Sequence, residues 1–164
     1  MSGIELESLL HGAGHESGRR ASTENVPAIV GLGVACELAR DALSDPPQTQ
    51  LRDAFWNELV KAFGENVVLN GHPTLRLPNT LNVSFPGHHG YELLDRLPLV
   101  AASTGSACHA GTHAMSPVLG AMGLSPEVGL GAIRFSLGRT TTRQELTSVV
   151  GMLRQVMDTP PRAL

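Results

Sequence analysis

Two short runs constrain the fold of this 164-residue chain more than any other feature. In "TLNVSF" (80–85) Leu81, Val83 and Phe85 alternate with Asn82 and Ser84, and in "AIRFSL" (132–137) Ile133, Phe135 and Leu137 alternate with Arg134 and Ser136. Successive side chains of a strand point to opposite faces, so each run predicts a strand with one apolar and one polar face. An apolar strand face needs a covering layer. Helical periodicity supplies one from about Leu51 to Phe63, with Leu51, Phe55, Leu59 and Ala62 inward and Lys61 turned to solvent. Thr142, at capping-box spacing from Glu145, opens another helix with a stripe of Leu146, Val149, Val150, Leu153 and Met157.

Shorter signals fill the gaps. "VVLNG" (67–71) and "LVAAS" (99–103) read as strands, "YELLDRL" (91–97) as a short helix, and Ser116-Pro117 and Ser125-Pro126 as helix starts. Near the beginning a helix is predicted from about Pro27, with Ile29, Leu32, Cys36, Ala39 and Leu43 on one stripe and Cys36 read as a small buried hydrophobe. Strands alternating with helices predict an α/β or α+β layer structure. "DPPQTQ" (45–50) interrupts the pattern and places a boundary between a first unit, 1–45, and a compact second unit, 46–164.

Hydrophobic residues at 41% against 16% charged allow a packed core and exclude a disordered chain. A net charge of -3 with no basic stripe argues against nucleic acid and membrane as partners. The sequence shows neither a signal-peptide pattern nor an apolar run of membrane-span length, and its two cysteines lack C-x-x-C spacing. The expectation is a cytoplasmic protein with reduced thiols.

Cys108 has different surroundings from Cys36. It falls in "STGSACHAGTHAMSP", between a strand ending near Ser103 and a helix starting near Ser116, with glycines at 105 and 111, hydroxyls at 103, 104, 106 and 112, and His109 and His113 nearby. A thiol on a loop carried by a rigid scaffold, close to imidazoles, is placed for thiolate chemistry; an inert loop thiol beside solvated histidines is the alternative. A phosphate-binding thiol loop would carry an arginine where Ala114 stands, and a rhodanese-like loop a basic residue where His113 stands. His109 with His113, and His11 with His15, have metal-ligand spacing. Glycine interrupts both pairs and no second cysteine pair completes a set, so no metal site is predicted.

Read together, "RRASTENVP", "LPNTLNVSF", "STGSACHAG…SPVLGAMG" and "AIRFSLGRTTTRQEL" resemble the rear part of the cysteine desulfurase and selenocysteine lyase family, class-V enzymes of fold type I that use pyridoxal phosphate. The resemblance runs from about residue 10 to 157 and implies a role for each motif. Cys108 becomes the sulfur acceptor, turning into a persulfide as alanine leaves. Arg134 grips the substrate α-carboxylate. Thr23 reaches the cofactor phosphate of a neighbouring subunit, which implies a homodimer. Ser22 stands where the family usually has glycine. The substrate implied is L-cysteine, or L-selenocysteine if His109 directly after the thiol marks a lyase. A protein sulfur acceptor, as in iron–sulfur cluster assembly, is implied as a partner. On this reading 1–45 is the end of the large cofactor domain plus a connecting helix, and 46–164 is the small C-terminal domain.

The lysine that anchors the cofactor lies upstream of these motifs in the family. Among the 12 basic residues here only Lys61 is a lysine, and it falls outside any matching motif. The chain alone is therefore expected to be catalytically silent, or to serve as an inactive dimerisation or binding fragment, and its first helix is expected to expose apolar surface where the absent large domain would have covered it.

Overall fold

A computed structural model describes residues 7–43, 48–105 and 114–159. The chain divides into two units, Met1–Asp45 and Pro46–Leu164. In the first, a single turn, α1 (His15–Gly18), precedes the long helix α2 (Val26–Leu43). In the second, α3 (Gln48–Phe63) leads through a 3-10 turn, Gly64–Asn66, to β1 (Val68–Leu69) and β2 (Thr80–Ser84). The short helices α4 (Gly90–Asp95), α5 (Pro117–Ala121) and α6 (Pro126–Gly129) follow, then β3 (Ala132–Ser136) and α7 (Arg143–Asp158).

The strands form one antiparallel sheet in the order β1-β2-β3, with Leu81 opposite Phe135 and Val83 opposite Ile133. This register puts the two apolar faces side by side, as the alternation in both runs requires. Phe55 and Leu59 of α3 and Leu146, Val150 and Leu153 of α7 complete one core with them, joined by Leu93 and Leu97. Phe55 meets Phe135 edge-on at 5.1 Å between ring centroids, and Phe63 meets Phe85 at 5.4 Å. Helices over one face of an antiparallel sheet make this unit α+β.

Local rules account for the helix ends. The Glu145 amide donates to Thr142 Oγ1 at 3.3 Å and the Thr142 amide donates to Glu145 Oε2 at 2.7 Å, a reciprocal capping box. Asn25 caps α2 by accepting the Ala28 amide on Oδ1 at 3.2 Å. Pro117 and Pro126 open α5 and α6 as expected, but neither Ser116 nor Ser125 caps through its side chain.

Two expectations are corrected, the strand at 99–103 and the burial of Cys36. The run 99–103 is not a strand: the chain turns between Leu97 and Val100, and only Ser103 bridges to β3. The apolar stripe on α2 is exposed, as expected where the covering large domain is absent: none of the helix's residues is buried, and Val26, Ile29, Val30, Leu32, Val34, Leu38 and Leu43 are each more than half exposed. Cys36 on that stripe is accordingly exposed. Arg52, a charged residue in an otherwise ordinary helix, is buried. Its Nη1 donates to the Leu77 carbonyl at 2.7 Å and its Nε to Asp53 Oδ1 at 2.9 Å, while Arg76 Nη2 shares that carboxylate oxygen at 3.3 Å. This cluster ties α3 to the segment that enters β2. Burial, and then the adjacent Arg52 charge, lower the Arg76 pKa against the opposing pull of Asp53.

The capping box makes the second unit sensitive to acid. Hydrogen bonds from Thr142 hold the Glu145 carboxyl below its usual range, so their contribution is present above the unfolded-state pKa and is lost as pH falls through the lower folded-state value. Thr142→Ala is expected to destabilise the chain by about 1 kcal/mol in denaturant unfolding at neutral pH. Glu145→Gln is expected to flatten the acid limb of the stability profile, and an unchanged acid limb would show that the carboxylate is not engaged in solution.

Candidate functional site

The register of the sheet creates a transverse row on its polar face. Asn82 of β2 lies opposite Arg134 of β3. On one side the Asn70 amide, just past β1, donates to the Asn82 carbonyl at 2.9 Å. On the other, the Arg134 amide donates to the Ser103 carbonyl at 2.6 Å and the Ser103 amide donates back to the Arg134 carbonyl at 3.1 Å. Because the Arg134 backbone groups face Ser103, Asn82 and Arg134 are a non-hydrogen-bonded antiparallel pair, the kind in which side chains lie closest. Asn70, Asn82, Arg134 and Ser103 therefore cross the sheet side by side.

Arg134 is exposed, and among the described residues its guanidinium makes no hydrogen bond or ion pair. Asn82 is half-buried, and its Oδ1 accepts from Asn70 Nδ2 at 2.8 Å; the same Nδ2 lies 2.8 Å from Ser84 Oγ. A planar arginine fork beside an amide, with no carboxylate spent on either, suits the capture of a small carboxylate.

The segments flanking 106–113 are fixed on both sides. Ser103 Oγ donates to the Gly105 carbonyl at 2.7 Å and accepts the Gly105 amide at 3.2 Å. Gly90, at the start of α4, lies so close to β3 that a Cβ there would stand 2.5 Å from the Ala132 carbonyl oxygen and 3.2 Å from Thr104. On the far side Met115 is pressed against Gly129, where a Cβ would stand 2.1 Å from the Met115 sulfur. Cys108, His109, Gly111 and His113 lie outside the described residues.

Thr23 belongs to the first unit and is exposed just before α2. Its loop is knit by Arg20, which donates to the Ala21 and Ser22 carbonyls and pairs with Glu24 at 3.3 Å and Glu16 at 3.7 Å. Sequence reading overlooked Arg20, although the i, i+4 spacing of Glu16, Arg20 and Glu24 signals it. Ser22 has φ +81°, the left-handed region that favours glycine. An exposed hydroxyl before an 18-residue helix fits the phosphate end of pyridoxal phosphate, since a helix N-terminus favours an anion. Nothing described fits its aldehyde end: Lys61 is exposed on α3. Among the described residues no group of three or more His, Cys, Asp or Glu could hold a metal ion.

The family model for aminotransferase class-V matches residues 4–149. The chain belongs to the class-V aminotransferase family. Among the similar relatives of this class-V chain are a cysteine desulfurase IscS of Methanosarcina thermophila, 42% identical over 159 residues covering 94% of the chain, and cysteine desulfurase 2 of Trichormus variabilis, 42% identical over 95% of it. The chain spans 39% and 40% of those two relatives' lengths. A solved NifS-like protein superposes with a TM-score of 0.77 at 30% identity, over 96% of the chain and 40% of its own length. A NifS-like protein from Rickettsia africae superposes at 0.75 with 27% identity, over 95% and 41%. The structure of SspA in complex with cysteine superposes at 0.53 with 31% identity, over 80% and 35%. The expected fold type I is thus present as part of that fold, in a family that depends on pyridoxal phosphate.

Ser22 offers a local check of the Thr23 loop. Ser22→Gly is expected to relieve about 1 kcal/mol of backbone strain and to slow hydrogen exchange about fivefold at the Ala21 amide, which donates to the Leu10 carbonyl at 2.8 Å. Faster exchange in the glycine variant would show that the loop does not hold this conformation in solution.

Proposed function

We propose that this chain is the C-terminal portion of a pyridoxal phosphate-dependent cysteine desulfurase. Residues 1–45 are the end of its large cofactor domain with a connecting helix, and 46–164 are its small domain. The pairing of Ser103 with Arg134 carries the reading, because it sets the root of the Cys108 segment beside the arginine available to a carboxylate. From Ser103 only five residues run to Cys108, and a fully extended tether of that length reaches about 18 Å. The names of the relatives and the cysteine complex of SspA support L-cysteine as substrate.

In this reading the Arg134 fork binds the substrate α-carboxylate and fixes the direction of its side chain. The Cys108 thiolate attacks the substrate sulfur; a new S–S bond forms as the substrate C–S bond breaks. The electron pair of that bond stays with carbon, a proton fills the position, and alanine leaves with Cys108 as a persulfide. The bound cofactor serves as the electron sink for the reaction at carbon. Thr23 donates to its phosphate from the neighbouring subunit of a homodimer. The outer sulfur of the persulfide then passes to a protein acceptor, as iron–sulfur cluster assembly requires. The anchoring lysine is contributed by polypeptide outside this chain, and the exposed apolar stripe of α2 is the surface that polypeptide covers.

Among the described residues no helix is long and apolar enough to cross a membrane, and the proposed place of action is the cytoplasm. The chain mixed with a polypeptide supplying the lysine-bearing cofactor domain, pyridoxal phosphate and L-cysteine is expected to release alanine. Cys108→Ser is expected to lower that release at least about a hundredfold, and Arg134→Lys to raise KM about tenfold with a smaller change in kcat. Alanine release at the parent rate from Cys108→Ser would remove the assignment.

A further inference from the structure

Asn70 is the one asparagine of the chain that is followed by glycine. That pairing carries a reaction of its own. The Gly71 backbone nitrogen can attack the side-chain carbonyl carbon of Asn70 and close a cyclic imide; Asn70 Nδ2 leaves as ammonia, taking up the proton that Gly71 gives off. A Cβ on the following residue would crowd this attack, and glycine has none. Water then opens the ring on either side, leaving an aspartate at position 70 or the isomer in which the main chain runs through the side-chain carboxyl. The fold keeps the pairing in place, because Gly71 is exposed at φ +92°, a left-handed conformation that other residues reach only with strain.

The folded surroundings of Asn70 oppose each step. Asn70 is 8% exposed, and its backbone amide is held by the Asn82 carbonyl at 2.9 Å. The nitrogen that must leave, Nδ2, donates to Asn82 Oδ1 at 2.8 Å and lies 2.8 Å from Oγ of the fully buried Ser84. Among the described residues Asn70 Oδ1 is buried with no hydrogen-bond partner, so no donor polarises the carbonyl that is to be attacked. This protection is only as firm as β1, a two-residue strand at the edge of the sheet, where a short element opens locally with little loss of core. After conversion the native contacts cannot re-form. A carboxylate accepts hydrogen bonds but donates none, and at position 70 it would stand buried against the Asn82 oxygen that Nδ2 had satisfied.

We propose that Asn70-Gly71 is a deamidation site whose rate is set by the opening of β1, and that conversion loosens β1 from β2 without return to the amide. The inference is independent of the desulfurase reading. It concerns the lifetime of the small unit, and the only co-reactant it needs is water.

The test holds the full 164-residue chain in mildly alkaline buffer, native, at a series of low urea concentrations and fully unfolded, and follows residue 70 by tandem mass spectrometry of the tryptic fragment 62–76. Asn66, followed by Val67 in the same fragment, is the internal reference. Conversion at residue 70 is expected to run at least about tenfold slower in the native chain than in the unfolded one, and to rise with low urea more shallowly than global unfolding does. Equal rates in the native and unfolded chains, a urea dependence as steep as that of global unfolding, or no conversion in the unfolded chain would each overturn the gating by β1. Asn70→Asp is expected to speed hydrogen exchange at the residue 70 backbone amide at least about tenfold, and unchanged exchange would overturn the loosening of β1. The gating is read in the parent chain, so that decision does not depend on the variant folding.

Discussion

The pairing of β2 with β3 decides at once what the second unit buries and what it offers to a ligand. Leu81, Val83 and Phe85 share a face with Ile133, Phe135 and Leu137 only because Asn82 stands opposite Arg134; a slip of one residue would turn the apolar set to solvent and the arginine into the core. The strand from 80 to 84 is central, flanked by β1 and β3, so its register is fixed from both edges. Burial of the apolar face is worth roughly 1.5–3 kcal/mol for each large side chain removed from water, far more than any polar contact on the opposite face. The core therefore sets the register, and the polar row follows from it. The proposed carboxylate grip of Arg134 can be held in this way without its own residues contributing much to stability.

The same division explains the clamp on α3. Arg52 and Arg76 share one carboxylate oxygen of Asp53, and Arg52 also holds the Leu77 carbonyl three residues before β2 begins. A buried and a half-buried guanidinium on one half-exposed carboxylate are a poor source of net stability, because desolvation and solvent screening offset most of the attraction. Their effect is geometric. They fix where the chain from β1 re-enters the sheet, and with it the placement of Asn79, whose carbonyl accepts the Leu137 amide at 2.8 Å.

Much of this was legible in the sequence, and the failures have physical causes. Period-two alternation assigned the faces of both long strands, helical periodicity found Phe55, Leu59, Leu146, Val150 and Leu153, and capping spacing found Thr142 with Glu145. Alternation along a strand says nothing about which residue of the next strand lies opposite, so the row from Asn70 to Ser103 was invisible until pairing was known. Arg52 was missed because its partner, the Leu77 carbonyl, is 25 residues away and backbone carbonyls carry no sequence signal. Cys36 was misread for a related reason: a helical stripe reports that a face is apolar, and only the neighbouring layer decides whether it is covered. Ser22 shows the reverse case, where a backbone at φ +81° gives the physical reason for glycine being the usual residue at that position.

The two units differ in what holds them. The second has its own core, with Phe55, Phe85, Leu59, Leu81, Ile133 and Leu153 withdrawn from water almost completely. The first has α2, an 18-residue helix with no buried residue, held at its start by the Asn25 cap and the Arg20 network. A cap contributes about 1 kcal/mol and exposed ion pairs less, whereas the seven large apolar side chains left in water on α2 represent several times that if covered. The order of α2 is thus set less by its own termini than by whatever surface it meets. Thr23 sits three residues before this helix, so the firmness of the proposed phosphate contact depends on the same apolar cover.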